Sequence, residues 1–93
     1  MESITVGGSV MGFGLETNSH TVGYFQETVL SYEIITSDAE VKIVTKESDP
    51  ELFYALPWSF GTIGILASAK LRIVRIKPYV NMKYIPTYNI KDL

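Results

Sequence analysis

The chain has 93 residues, 46% of them hydrophobic and 12% aromatic, with a net charge of −2. That apolar content excludes a disordered chain, and the slightly acidic balance leaves no electrostatic footprint for nucleic acid. With no cysteine, disulfides, thiolate zinc sites and cysteine nucleophiles are excluded together, which suits a reducing compartment. No signal peptide and no apolar run of membrane-spanning length is present, so the chain as written reads as soluble and cytoplasmic. A domain this small buries roughly 60–65% of its unfolded surface, and a ligand or partner would add to a thin stability margin.

The opening stretch TVGGSVMGFGLETNSHTVG, Thr5 to Gly23, holds five of the seven glycines and the only histidine. Thr5 is placed to cap a short helix starting at Val6, whose free amides suit a phosphate or a polarised ring carbonyl. Gly7-Gly8 and Gly12-x-Gly14 let the backbone approach a ligand closely, or equally form a tight packing turn; composition leaves both open. A dinucleotide-binding fingerprint is excluded, because no strand precedes these glycines and Thr17 stands where the third glycine belongs. The Gly-Lys-Ser/Thr ending of a P-loop is absent too.

TVLSYEIITS (Thr28 to Ser37) predicts a strand, SDAE a turn closed by Ser37 and Asp38, and VKIVT (Val41 to Thr45) a returning strand. ESDPELFYALPW predicts a helix capped by Ser48 or Asp49, with Pro50 in its first turn and Pro57 at its end. Ser48 and Glu51 have capping-box spacing, and Leu52, Ala55 and Leu56 form an apolar stripe. After the glycine turn WSFGTIG, ILASAKLRIVRI predicts a long strand to Ile76, with Leu71 and Ile73 on one face and Lys70 and Arg72 on the other. Lys70, Arg72, Arg75 and Lys77 then read as a solvated strand face. Tyr79 to Pro86 alternates as a further strand, and YNIKDL begins a helix. No repeat interrupts this order, which predicts an α+β fold built on an antiparallel sheet with flanking helices.

Candidate chemical groups are few. His20 has no second histidine or cysteine to make a metal site, so none is assigned; it either bonds a cofactor or caps a turn. Glu16, Glu27 and Glu33 show no pairing, and Ser9, Ser19 and Ser59 lack the nucleophile-elbow pattern. No catalytic residue is assigned. Trp58 and Phe60 either flank a planar ring or belong to the core.

Taken together, TVGGSVMGFGLETNSHTVGYFQETV with YEII, and DPELFYALPWSFGTIGILASAKLRIVRIKPYV, resemble two consecutive blocks of the Δ24-sterol reductases. This family comprises the 24-dehydrocholesterol reductases and their plant relatives in brassinosteroid synthesis, within the vanillyl-alcohol-oxidase (PCMH) type of flavoprotein. The resemblance runs from Thr5 to about Pro86, and Asp49 to Gly64 loosely matches the wider group's acidic, aromatic and Gly-x-x-Gly pattern. It implies that residues 1–93 are the second half of an FAD-binding domain. It further implies that Thr5, Val6, Gly7, Gly8, Ser9, Val10, Met11, Gly12, Phe13, Gly14, Leu15, Glu16 and Thr17 wrap the FAD. Ser19, His20 and Gly23 would continue along the flavin pocket, and Gly61, Thr62 and Gly64 would pass it from the other side.

The reaction implied is reduction of the sterol side-chain C24–C25 double bond, with hydride passing from NADPH through FAD; the flavin carries the chemistry and the protein positions it. The family's endoplasmic-reticulum anchor, first flavin subdomain and sterol-binding region have no counterpart among these residues, so weak FAD binding and no turnover are expected of the chain alone. The alternative is an inactive interaction domain that keeps the fold and associates with a protein or with itself through the surface facing the missing subdomain.

Overall fold

In the computed structural model, which describes residues 3–12 and 14–92, the fold is carried by a three-stranded antiparallel sheet. Strands β1 (Val29–Ile35), β2 (Val41–Thr45) and β3 (Ile65–Leu71) lie in the order β2-β1-β3. Helices α1 (Val6–Met11), α2 (Ser19–Val22) and α3 (Pro50–Ala55) complete an α+β arrangement, with single 3-10 turns at Phe25–Thr28 and Ile90–Asp92. Phe13 lies outside the described residues.

The β1–β2 hairpin pairs Ser31 with Thr45 and Ile35 with Val41. Its turn is closed by Thr36 rather than by Ser37 or Asp38. The Thr36 N–H donates to the Glu40 carbonyl at 2.9 Å, and the Ala39 N–H donates to the Thr36 carbonyl at 3.0 Å. A β-branched residue at the strand end can extend the ladder and cap it with its hydroxyl, which a residue inside the turn cannot do.

Helix α3 begins where the sequence places it. Asp49 Oδ1 accepts from the Leu52 N–H at 3.1 Å, and Pro50 fills the first position, where no donor is needed. Ser48 is engaged elsewhere, its Oγ accepting the Thr45 N–H at 2.9 Å, so Asp49 alone is the cap. The buried face is also rotated from the expected stripe. Phe53 and Leu56 enter the core, Leu52 packs at its edge and Ala55 is exposed. The larger Phe53 ring wins the inner position because it meets Tyr32 at a centroid distance of 5.1 Å.

The core unites Val10 of α1, Val29, Tyr32 and Ile34 of β1, Val44 of β2, and Phe53 and Leu56. Each such side chain contributes on the order of 1.5–3 kcal/mol when fully buried. All of these face one side of the sheet. Leu30, Val41, Ile43 and Ile65 remain exposed.

Two expectations for the C-terminal third are corrected. Strand β3 stops at Leu71 instead of Ile76, because its partner runs out: Leu71 pairs with Val29, and one more bond, Arg72 N–H to the Thr28 carbonyl, meets the 3-10 turn that precedes β1. Ile73 accordingly does not join Leu71 in the core and is exposed. Residues 79–86 form no strand either; alternation alone does not make one without a neighbour to complete the ladder. Among the described residues no helix is long and apolar enough to cross a membrane.

Candidate functional site

The glycine-rich opening folds into α1 because Thr5 caps it. Thr5 is extended (φ −94°, ψ 151°), and its Oγ1 accepts the Gly8 N–H at 3.0 Å. A side chain at position 8 would crowd that oxygen at 3.0 Å, so Gly8 serves the cap itself. Gly7 has no such neighbour: a Cβ there would meet nothing within 4 Å. Glycine inside a helix costs roughly 1 kcal/mol relative to alanine, and packing within the chain does not repay it at this position. Gly7 opens onto a shallow recess of about 250 Å³ shared with Val6 and the small residues Ala67, Ser68 and Ala69 of β3.

The two glycine turns meet directly. The Trp58 N–H donates to the Val10 carbonyl at 3.1 Å, and the Phe60 N–H donates to the Met11 carbonyl at 2.9 Å. The Ser59 hydroxyl adds a bond to Met11 Sδ at 3.2 Å. The turn thus satisfies carbonyls at the C-terminal end of α1 that the helix itself cannot pair. To reach them, Trp58 and Phe60 adopt left-handed backbone, with φ of 64° and 53°, and Gly61 follows at 77°. Both aromatic side chains stay exposed, Phe60 at 79%.

The stretch beyond α1 is a polar knot. Glu16 N–H donates to Ser19 Oγ at 2.9 Å, and the Thr21 hydroxyl donates to the Asn18 carbonyl at 2.7 Å. His20 Nδ1 lies 3.1 Å from the Thr17 carbonyl, which selects the tautomer with the proton on Nδ1 and leaves Nε2 as the acceptor of the neutral ring. Leu15, Ser19, His20 and Gly23 line one recess of about 230 Å³, closed by Tyr24 and Glu27. Gly23 is left-handed (φ 79°), and a side chain there would run into the Glu27 carboxylate. Glu27 in turn accepts the Tyr24 N–H at 2.6 Å, which fixes this wall.

Not every residue of the opening stretch faces outward. Val10 is fully buried in the core and Ser9 is 5% exposed. Gly14 is buried against Phe25, whose N–H its carbonyl accepts at 3.0 Å. These three residues hold the site's backbone in place from behind. Met11 and Gly12 are half-buried at the junction with the second turn, and Thr62 closes that turn by donating its hydroxyl to the Ser59 carbonyl at 2.6 Å. Gly64 packs against β1, where a Cβ would lie 2.9 Å from the Ile35 carbonyl oxygen.

A larger cavity than these recesses, about 530 Å³, lies between the 3-10 turn before β1, the core strands and α3. Of the residues tied to it, Gln26, Tyr32 and Lys46 carried no signal in the sequence, since their partners come from different elements. Among the described residues no group of three or more His, Cys, Asp or Glu side chains is arranged to hold a metal.

No protein-family model matches the chain. It is 41% identical over 95 residues to the Delta(24)-sterol reductase of Pisum sativum, and 40% identical over 93 residues to the Delta(24)-sterol reductase of Rattus norvegicus. Both alignments cover the whole chain but only 17% and 18% of those proteins, so the chain spans under a fifth of the length of these curated relatives. A more distant relative is the D-arabinono-1,4-lactone oxidase of Candida glabrata, 29% identical over 85 residues, which cover 91% of the chain and 14% of that protein.

Proposed function

Because the chain is, from end to end, a relative of one segment of the Delta(24)-sterol reductases, we propose that it forms one wall of an FAD site in an enzyme of that kind. Its fold is then the second subdomain of a vanillyl-alcohol-oxidase (PCMH) type flavin domain. The observation that carries this reading is the junction of the two glycine turns, Trp58 N–H to Val10 and Phe60 N–H to Met11, beside a Gly7 with empty space in front of it. Two segments far apart in sequence are thereby clamped backbone to backbone.

The residues present fit a flavin on one side. Thr5 fixes the start of α1, Gly7 and Gly8 leave the backbone bare, and Leu15, Ser19, His20 and Gly23 border a recess into which a ring edge can reach. With its Nδ1 turned to the Thr17 carbonyl, His20 has Nε2 left to meet a polar edge of the flavin. Glu16, Thr17, Gly61, Thr62 and Gly64 complete the proposed wall. When bound, FAD supplies the hydride chemistry, here delivery from NADPH to the sterol C24–C25 double bond; this chain binds and orients it. The opposite wall, the sterol-binding region and the placement at the endoplasmic reticulum belong to the longer protein in this reading.

FAD titration tests it, with flavin fluorescence and thermal stability as readouts, in the chain alone and in the chain supplemented with the first flavin subdomain. Saturable binding is expected in the second case and weak binding in the first. Absence of a saturable change in both overturns the reading.

A second reading, an interaction domain without cofactor, is favoured by one observation: Leu30, Val41, Ile43 and Ile65 are exposed on strands of the same sheet. Sedimentation at increasing concentration separates the two. Self-association that FAD leaves unchanged supports the interaction domain, and a strict monomer argues against it.

A further inference from the structure

We propose that Met11 is a redox-modification site: hydrogen peroxide converts its thioether to the sulfoxide, which releases the second glycine turn from α1 until the sulfoxide is reduced. Met11 grips that turn twice. Its carbonyl accepts the Phe60 N–H at 2.9 Å, and its Sδ accepts the Ser59 hydroxyl at 3.2 Å. With the Trp58 N–H on the Val10 carbonyl at 3.1 Å, three consecutive residues of the turn are bonded to the end of α1. The sulfur holds the middle one. Its neighbours Trp58 and Phe60 keep left-handed backbone (φ 64° and 53°), which bulky residues adopt only under restraint. A turn under such tension relaxes when its middle bond is lost.

The step is a two-electron oxidation. A sulfur lone pair attacks one peroxide oxygen, the O–O bond breaks and an S–O bond forms, and the other oxygen leaves as water with both peroxide protons. Sulfur is oxidised and the peroxide reduced, and no group of the chain gives up a proton. Met11 packs against the apolar core cluster, so either sulfoxide epimer turns an apolar side chain there into a polar one. In the epimer whose oxygen lies toward Ser59, the added atom also enters the 3.2 Å gap that the hydrogen bond spans, and it pushes the turn away. Met82 supplies the contrast. It is 62% exposed and lies in the C-terminal segment outside the sheet, so its oxidation disturbs no junction. Met11 is half-buried, which slows its reaction with a small oxidant relative to Met82.

The test is treatment of the purified chain with hydrogen peroxide, with mass spectrometry locating each added oxygen. Met82 is expected to oxidise first and to leave the thermal midpoint within about 1 °C of its starting value. Oxidation of Met11 follows and lowers the midpoint by about 5–10 °C, with amide chemical-shift changes centred on Trp58, Ser59 and Phe60. The methionine sulfoxide reductases for the two epimers together reverse both changes, because the released turn leaves the sulfoxide open to them. Met11→Leu, a swap of similar volume, removes the peroxide effect, and Met82→Leu keeps it. Ser59→Ala lowers the midpoint before any oxidation by about half as much, the share of one hydrogen bond. No readout needs FAD, so a failure of flavin binding leaves these outcomes untouched. Met11 still unoxidised after prolonged exposure that converts Met82 overturns the proposal. So does a midpoint unmoved by the Met11 sulfoxide, a loss that the reductases do not restore, or a peroxide effect that persists in Met11→Leu.

Discussion

The Thr5–Gly14 segment and the Trp58–Gly64 turn are both glycine-rich and touch each other, yet they use glycine for different ends. In the first, Gly14 is a packing residue: a Cβ there would lie 2.6 Å from the Phe25 Cβ and 3.2 Å from the Ser9 carbonyl oxygen. Gly7 in the same segment faces open space. In the second, the left-handed backbone that glycine tolerates falls on Trp58 and Phe60 as well as on Gly61. Bulky residues in that region cost on the order of 1–3 kcal/mol each, held here by the bonds to Val10 and Met11. The number of glycines in a segment therefore says little about function. What separates structural from exposed glycine is the occupancy of the space where its side chain would stand.

The largest test of that contrast is Gly14→Ala, expected to destabilise the chain by about 2–3 kcal/mol through overpacking against Phe25. Denaturant unfolding measures it, and a change under 0.5 kcal/mol would erase the distinction from Gly7. Next comes Tyr32 of the core. The Tyr32 phenol is raised from 10.0 to about 12 by desolvation, so the folded state holds its proton more tightly. Its contribution is complete below pH 10 and is lost as pH rises from 10 to 12, by up to about 2–3 kcal/mol. Tyr32→Phe should flatten that part of the stability profile.

Phe60→Gly addresses the second turn. It removes a strained backbone and little buried surface, so unfolding free energy should rise by about 1 kcal/mol while FAD affinity falls. The smallest effect belongs to Gly7→Ala. Helix propensity predicts up to about 1 kcal/mol of added stability, and the proposed flavin approach predicts at least a ten-fold loss of FAD affinity. A stable variant with unchanged FAD affinity would return Gly7 to the ordinary turn reading.

Local signals in the sequence located most of the fold. The Thr5 and Asp49 caps, the two hairpin strands and the end of α3 all follow from residues within four positions of one another. What escaped notice depends on partners. Strand β3 ends at Leu71 because β1 begins at Val29, a fact of register that the alternation of Leu71 and Ile73 does not contain. Phe53 displaced Ala55 from the core because a ring on β1 was there to meet it. The residues of the proposed front wall could be named from sequence because its glycines and His20 lie within one short stretch. Its attachment to Trp58 and Phe60 was less so, for neither aromatic residue advertises a positive φ. The Tyr32–Gln26 cavity had no sequence signature at all.

The clamp between Met11 and Ser59 joins residues 48 positions apart, and that separation has a kinetic consequence. A six-residue helix does not persist in water without tertiary support, so α1 forms only after the hairpin and α3 have delivered the second turn to it. The closure entropy of that long loop makes docking a late event in folding. By the same logic α1 opens from the native state before the sheet does, and its amides should exchange with solvent faster than those of β1. A ligand held by Gly7 and Phe60 would slow that opening selectively, so the exchange rate of the Gly8 amide becomes a gauge of how often the wall stands ready.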